Sequence, residues 1–95
     1  MLFEWDEAKR LSNLRKHGVD FADALEFGWE NAQTDIDERF TYGEERLIAF
    51  SLFRGTVHVV IYAQRGLAKR IISFRKATRR EAQGYYERRV QSRRL

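Results

Sequence analysis

Cysteine and proline are both absent from the 95 residues of this chain. Without cysteine there is neither a disulfide framework nor a thiolate metal site, and a reducing compartment is the default setting. Without proline, and with no glycine- or serine-rich stretch, nothing marks a linker, so residues 1–95 are expected to form one domain. No apolar run approaches the roughly 18–20 residues that span a bilayer. The first ten residues carry acids where a secretory leader would have a basic start and an apolar stretch. The expectation is a cytoplasmic protein that does not engage a membrane. Histidines number two, and there is no phosphate-binding loop, no zinc-protease helix and no Cys/His cluster. Asp35, Asp37 and Glu38 are the one close group of carboxylates, and acids in a polar loop are usually solvated rather than ligating. No metal and no cofactor are expected.

What the chain does have is enough apolar material to fold and an uneven distribution of charge. Hydrophobic residues make up 43% and aromatics 14%, sufficient for one continuous core. The formal net charge is +4, but residues 65–95 hold eleven Lys/Arg against two acids, Glu81 and Glu87, a net of +9. Residues 1–64 hold seven bases against twelve acids, a net of −5. Such asymmetry is the footprint of a surface that meets a polyanion, RNA above all. The alternative is a helix with a solvated basic face and a frayed arginine tail from about residue 88.

The pattern reads as an α+β domain: a short strand, two N-terminal helices, a three-stranded meander and one C-terminal helix. Residues 2–5 form an edge strand with Phe3 and Trp5 on one face. Asp6 N-caps a helix whose apolar stripe is Ala8, Leu11 and Leu14, closed by Lys16-His17-Gly18, with Gly18 as the left-handed cap. Asp20 starts a second helix carrying Phe21, Ala24, Leu25 and Gly28, with Val19 stapling its start. Residues 30–39 are polar and aperiodic and read as a loop.

Strands follow at residues 46–52, 57–62 and 69–76. The middle one is β-branched and apolar on both faces, which places it inside the sheet. In the last, Ile72 and Phe74 share one face and Ile71, Ser73 and Arg75 the other. Thr78 and Glu81 form a capping box, and Ala82, Tyr85, Tyr86 and Val90 supply the stripe that packs the final helix on the sheet. Short turns between the strands imply an antiparallel sheet of about four strands with the helices on one face.

Among residues with chemistry, His17 closes a helix beside Lys16 and is either a cap residue or an acid–base group. His58 lies mid-strand among valines, where a packed imidazole is the better reading. Arg75 shares a strand face with Ser73 and leads into the basic helix.

Two blocks carry a resemblance. Residues Phe3, Trp5, Asp6, Lys9, Asn13, Lys16, His17, Gly18, Val19, Phe21 and Ala24, at their spacing here, resemble the N-terminal signature of the BrnT family of type II toxins. Glu45-Arg46, the valine-rich strand and the run Arg70-Ile71-Ile72-Ser73, then Arg75 through Glu81, resemble that family's second half. The resemblance spans about residues 2–88. It implies a RelE/ParE-like fold and ribonuclease activity that inhibits translation and growth. It also implies neutralisation by a BrnA-like antitoxin with a ribbon-helix-helix domain, through which the complex binds its own operator DNA. Phe74 stands where the family usually carries a small residue, beside the floor of the presumed site, and the loop around Ala32 lacks the family's common Asp-Pro.

RNA cleavage without a metal uses the 2′-hydroxyl as nucleophile. It needs a base for that proton, an acid for the departing 5′-oxygen and cations for the phosphorane. Arginine suits the last role through its planar, permanently charged fork. The catalytic candidates are therefore His17, Arg65 and Arg75, with Glu45 or Lys9 as substitutes for the histidine. Lys9, Lys16, Arg70, Lys76, Arg79 and Arg80 are the candidates for binding the RNA backbone. The competing function is a non-catalytic module that binds nucleic acid or a protein partner through the same basic helix.

Overall fold

A computed structural model describes residues 1–39 and 43–93; Arg94, at the end of the basic tail, lies outside the described residues. The elements are β1 (Leu2–Trp5), α1 (Glu7–His17), 3-10 turns at Phe21–Glu26 and Trp29–Asn31, β2 (Gln33–Ile36), β3 (Leu47–Phe53), β4 (Thr56–Arg65), β5 (Ala68–Lys76) and α2 (Arg79–Arg93). They build one sheet in the order β1-β5-β4-β3-β2. The α+β class and the edge position of residues 2–5 match the sequence reading, and β4 is central as its two apolar faces require.

Several expectations are corrected. The sheet has five strands and is mixed, because β1 lies parallel to β5 while the remaining pairs are antiparallel. The added strand is β2, inside the stretch read as a loop. Its sequence, Gln-Thr-Asp-Ile, has no alternation to betray it, since an edge strand with a wet surface owes its shape to pairing with β3 rather than to its own pattern. The second N-terminal helix is a 3-10 turn, in which the Asp20 carboxylate accepts from the Ala22 N–H at 2.9 Å.

The helical elements also divide between the two faces of the sheet instead of sharing one. Val19, Phe21, Ala24 and Phe27 pack on the face formed by Ala49, Phe53, Val60, Tyr62, Ile71 and Phe74. The other face of β4, with Val57, Val59, Ile61 and Ala63 buried, meets α2. That helix is tied on by the Gln33 carboxamide donating to the Tyr85 carbonyl at 2.8 Å and by Arg88 on Asp35 at 3.2 Å.

Both helices bury a different stripe from the apolar one. Along α1 the less exposed positions are Arg10, Asn13, Leu14 and His17, whereas Ala8 and Leu11 face solvent. Asn13 is the reason: its buried side chain is hydrogen-bonded into β5, which turns that line of the helix inward. Along α2 the inward line is Glu81, Ala82, Tyr85 and Arg89, while Tyr86 and Val90 are each 51% exposed. Glu81 and Tyr85 fix that rotation through their polar partners.

Finally, β5 carries a bulge opposite Ile61 and Tyr62: Ile61 pairs with Ser73 but Tyr62 pairs with Ile71. The extra residue, Ile72, breaks the simple alternation. Ile71 therefore joins Phe74 in the core, and Ile72 joins Ser73 on the open side. Phe74 is fully buried against Phe53 and Phe27, so it floors the core and not the face that carries Arg75.

Candidate functional site

β1 ends at Trp5, opposite Ile71, so the outer edge of β5 has no strand partner beyond that point. Asn13 of α1 fills the place. Its Nδ2 donates to the Phe74 carbonyl at 2.7 Å and to the Val19 carbonyl at 3.0 Å, and its Oδ1 accepts from the Phe74 N–H at 3.2 Å. One helical turn later comes His17. Gly18 then reverses the chain at φ 71°, a left-handed conformation that a Cβ would strain, with its N–H closing on the Leu14 carbonyl. The end of α1 is thereby pinned beside the end of β5, where Arg75 stands.

His17 and Arg75 are close enough to sense one another. The imidazole is held below its ordinary value first by partial burial, then by the charges of Lys16 and Arg75. Burial and the two cations all favour the uncharged ring. Arg75 is largely buried and extends both arms to Glu81, at 2.8 and 3.1 Å. Glu81 also accepts from the Thr78 N–H at 2.8 Å while its own N–H bonds the Thr78 hydroxyl, the capping box read from the sequence. The Arg75 guanidinium, with burial opposing and Thr78 assisting, drives the Glu81 carboxyl from 4.5 to about 2. Glu81 is therefore a fixed anion that sets the plane of the arginine fork. Lys76, Arg79 and Arg80 continue the basic surface and are exposed. Arg79 and Arg80 occupy the first turn of α2, where the helix dipole disfavours positive charge. Fold stability does not explain them.

The remaining candidates lie elsewhere. Arg65 lies six positions along β4 from Val59, the partner of Arg75, which is about 20 Å of strand. Arg65 and Arg75 therefore stand towards opposite ends of β4. Arg65 is instead clamped on Glu44 at 2.9 and 3.1 Å, with Glu4 at 3.8 Å. Arg70 shares Glu4 at 3.8 Å. Lys9 sits in the first turn of α1, about 12 Å of helix from His17, and Glu45 is exposed. His58 is a core residue, bonded to the Thr56 carbonyl at 2.8 Å and edge-on to Phe53 and Phe74.

Sequence reasoning missed one neighbouring group. Asp37, only 8% exposed, holds Arg39 at 2.8 and 3.1 Å. With Arg46, Ile61, Ile72 and Ser73 the pair lines a pocket of about 400 Å³ on the same face as Arg75. The Asp-x-Arg spacing was visible, but only β2 and the bulge bring it to the sheet. A larger groove of about 640 Å³ lies between the end of α2 and residues 30–33, away from His17. Among the described residues no three His, Cys, Asp or Glu side chains gather to hold a metal, and no helix is long and apolar enough to cross a membrane.

A family model described as ribonuclease toxin, BrnT, of type II toxin-antitoxin system matches residues 5–81. That span runs from the end of β1 through Glu81 and so contains Asn13, His17 and Arg75. No curated protein matches the chain.

Proposed function

This chain belongs to the BrnT family of ribonuclease toxins of type II toxin–antitoxin systems, and we propose that it is an endoribonuclease cutting RNA where α1, β5 and α2 meet. The observation that carries the reading is the juxtaposition of His17, whose value burial and nearby cations hold down, with the oriented fork of Arg75. The imidazole takes the 2′-hydroxyl proton. The resulting alkoxide attacks the adjacent phosphorus, and the P–O5′ bond breaks to leave a 2′,3′-cyclic phosphate and a 5′-hydroxyl. Arg75 meets the charge of the phosphorane, while Glu81 keeps its guanidinium in place. The same histidine, protonated by the first transfer, or a water it holds, returns a proton to the 5′-oxygen. Lys16, Lys76, Arg79 and Arg80 hold the flanking phosphates; Lys9, Arg65 and Arg70 lie further out, along the path of a longer strand. The chemistry needs no metal and no cofactor.

The partner is an antitoxin, which the family implies. We place it on the basic surface around α2, with a BrnA-like ribbon-helix-helix protein as the expected type and operator binding as a property of the complex. A free ribonuclease of this kind would inhibit translation and growth in the cytoplasm.

Induced expression of the chain alone tests the reading, with growth and RNA integrity followed over time. Growth arrest with RNA fragmentation, both relieved by co-expressing a BrnA-like antitoxin, is the expected result. Intact RNA and normal growth with folded protein present would favour the non-catalytic binding module instead.

A further inference from the structure

The pocket beside Arg75 has a construction that phosphate binding does not require. Its floor is apolar, Ile61 and Ile72, and the bulge in β5 is what turns Ile72 onto this face next to Ser73. Its rim is the Arg39 guanidinium. Asp37 grips that group through Nε and Nη2 and is itself fixed by its N–H to the Arg46 carbonyl at 2.8 Å. A two-pronged carboxylate contact holds a guanidinium flat, yet the Arg39 side chain remains 68% exposed. An exposed planar cation lining the same pocket as two isoleucines is suited to stacking.

Its position relative to the cleavage site is equally defined. Ser73 in the pocket and Arg75 lie on one strand face, one pleat repeat or about 6.6 Å apart, and the charge of Glu81 reaches Arg39. We infer that this pocket receives an unpaired base of the RNA strand, the base of a nucleotide flanking the phosphate held at Arg75, stacked on the Arg39 plane over Ile61 and Ile72. The inference rests on the cleavage reading for the identity of its ligand. It adds that the chain prefers single-stranded RNA, because a paired base must first be unpaired and unstacked, at a cost in free energy, to enter the pocket.

The probe is a set of 2′-O-methyl hexanucleotides, one per base, with an abasic hexamer of equal charge. None can be cut by transesterification, so binding is read apart from catalysis. The readout is the NMR signals of the Ile61 and Ile72 methyl groups in the intact protein. Base-containing hexamers should shift both, at least one base much more than the abasic strand. Arg39→Lys, which keeps the charge but not the plane, should weaken the tightest-binding hexamer about tenfold, the scale of one stacked base. Methyl signals that stay still, or that move equally with the abasic strand, overturn the inference, as does an Arg39→Lys protein that binds like the original. Shifted methyls in a protein that cuts no RNA would retain the pocket and remove the cleavage reading. Cleavage with unmoved methyls would do the reverse.

Discussion

The Asn13 carboxamide replaces a missing strand: it makes the two hydrogen bonds to Phe74, sixty-one positions away, that β1 is too short to make. This contact seats α1 against the open edge of β5. It also explains why a helix with a thin apolar stripe packs at all, and why its inward line is polar.

Asn13→Ala leaves the Phe74 N–H and C=O and the Val19 carbonyl without that partner in a buried site. The expected loss is about 2–4 kcal/mol, or roughly 8 °C or more in Tm for a domain of this size. Asn13→Asp is no rescue, since it replaces the amide that donates to two carbonyls with an oxygen. Chemical denaturation measures both. A loss below about 0.5 kcal/mol would mean that α1 is held by other contacts.

Glu81 makes stability depend on acid. Its folded value of about 2 lies below the ordinary 4.5, so its contribution is fully present above the unfolded value and is lost as pH falls from about 4.5 through about 2. The scale is of order 1–3 kcal/mol after allowance for partial exposure. Glu81→Gln should destabilise the protein at pH 7 and flatten its stability profile between pH 5 and 2. An unchanged profile would show that the Arg75 pair contributes nothing net.

His17 should titrate below 6.5 in the free protein, and its value should rise in Arg75→Ala and in Lys16→Ala, each of which removes one of the charges that depress it. Protonating this imidazole disfavours the folded state, so its contribution to stability is lost as pH drops through its value. Cleavage should decline over the same interval if it serves as base. Ring-proton NMR against pH provides the titration, and initial rates provide the profile. A value at or above 6.5 contradicts the partial burial of the ring, and a value unmoved in Arg75→Ala contradicts the influence of Arg75 on it.

Arg79 and Arg80 should behave in opposite directions in two assays. Replacing both by Ala should reduce the salt dependence of RNA binding by about 0.7 log unit per log unit of salt for each phosphate contact removed. The same change should leave the protein as stable or more so, by a few tenths to about 1 kcal/mol per arginine, since it relieves positive charge at the start of α2. An unchanged slope would assign both residues to solvated surface.

What the sequence displayed and what it hid follow a physical division. The valine-rich β4, the Asp6 cap, the Gly18 cap and the Thr78–Glu81 box were legible because each is a local pattern with one solution. The strand β2, the bulge at Ile72 and the inward rotation of Asn13 and Glu81 were not, because each is decided by partners far along the chain. The candidate site divides the same way. His17 and Arg75 were nameable as chemical types, and only the edge of β5 brings them near enough for the charge of Arg75 to act on the imidazole; Arg65 looked equivalent until the length of β4 placed it at the strand's other end. Asp37 stood out only as one of three close carboxylates, and its Asp-x-Arg spacing to Arg39 gave no hint that the pair reaches the sheet.

The most direct test of the central claim is the cleavage of single-stranded RNA by the purified chain in excess chelator, compared across folded His17→Ala, Arg75→Ala and Arg75→Lys proteins. The account predicts chelator-resistant cutting with 2′,3′-cyclic phosphate ends. Arg75→Ala should lower the rate by about 10²-fold or more, Arg75→Lys should restore only part of it, and His17→Ala should lower it by roughly 10²–10⁴-fold. Full activity in folded His17→Ala and Arg75→Ala proteins, or cutting that stops with chelator, would contradict it.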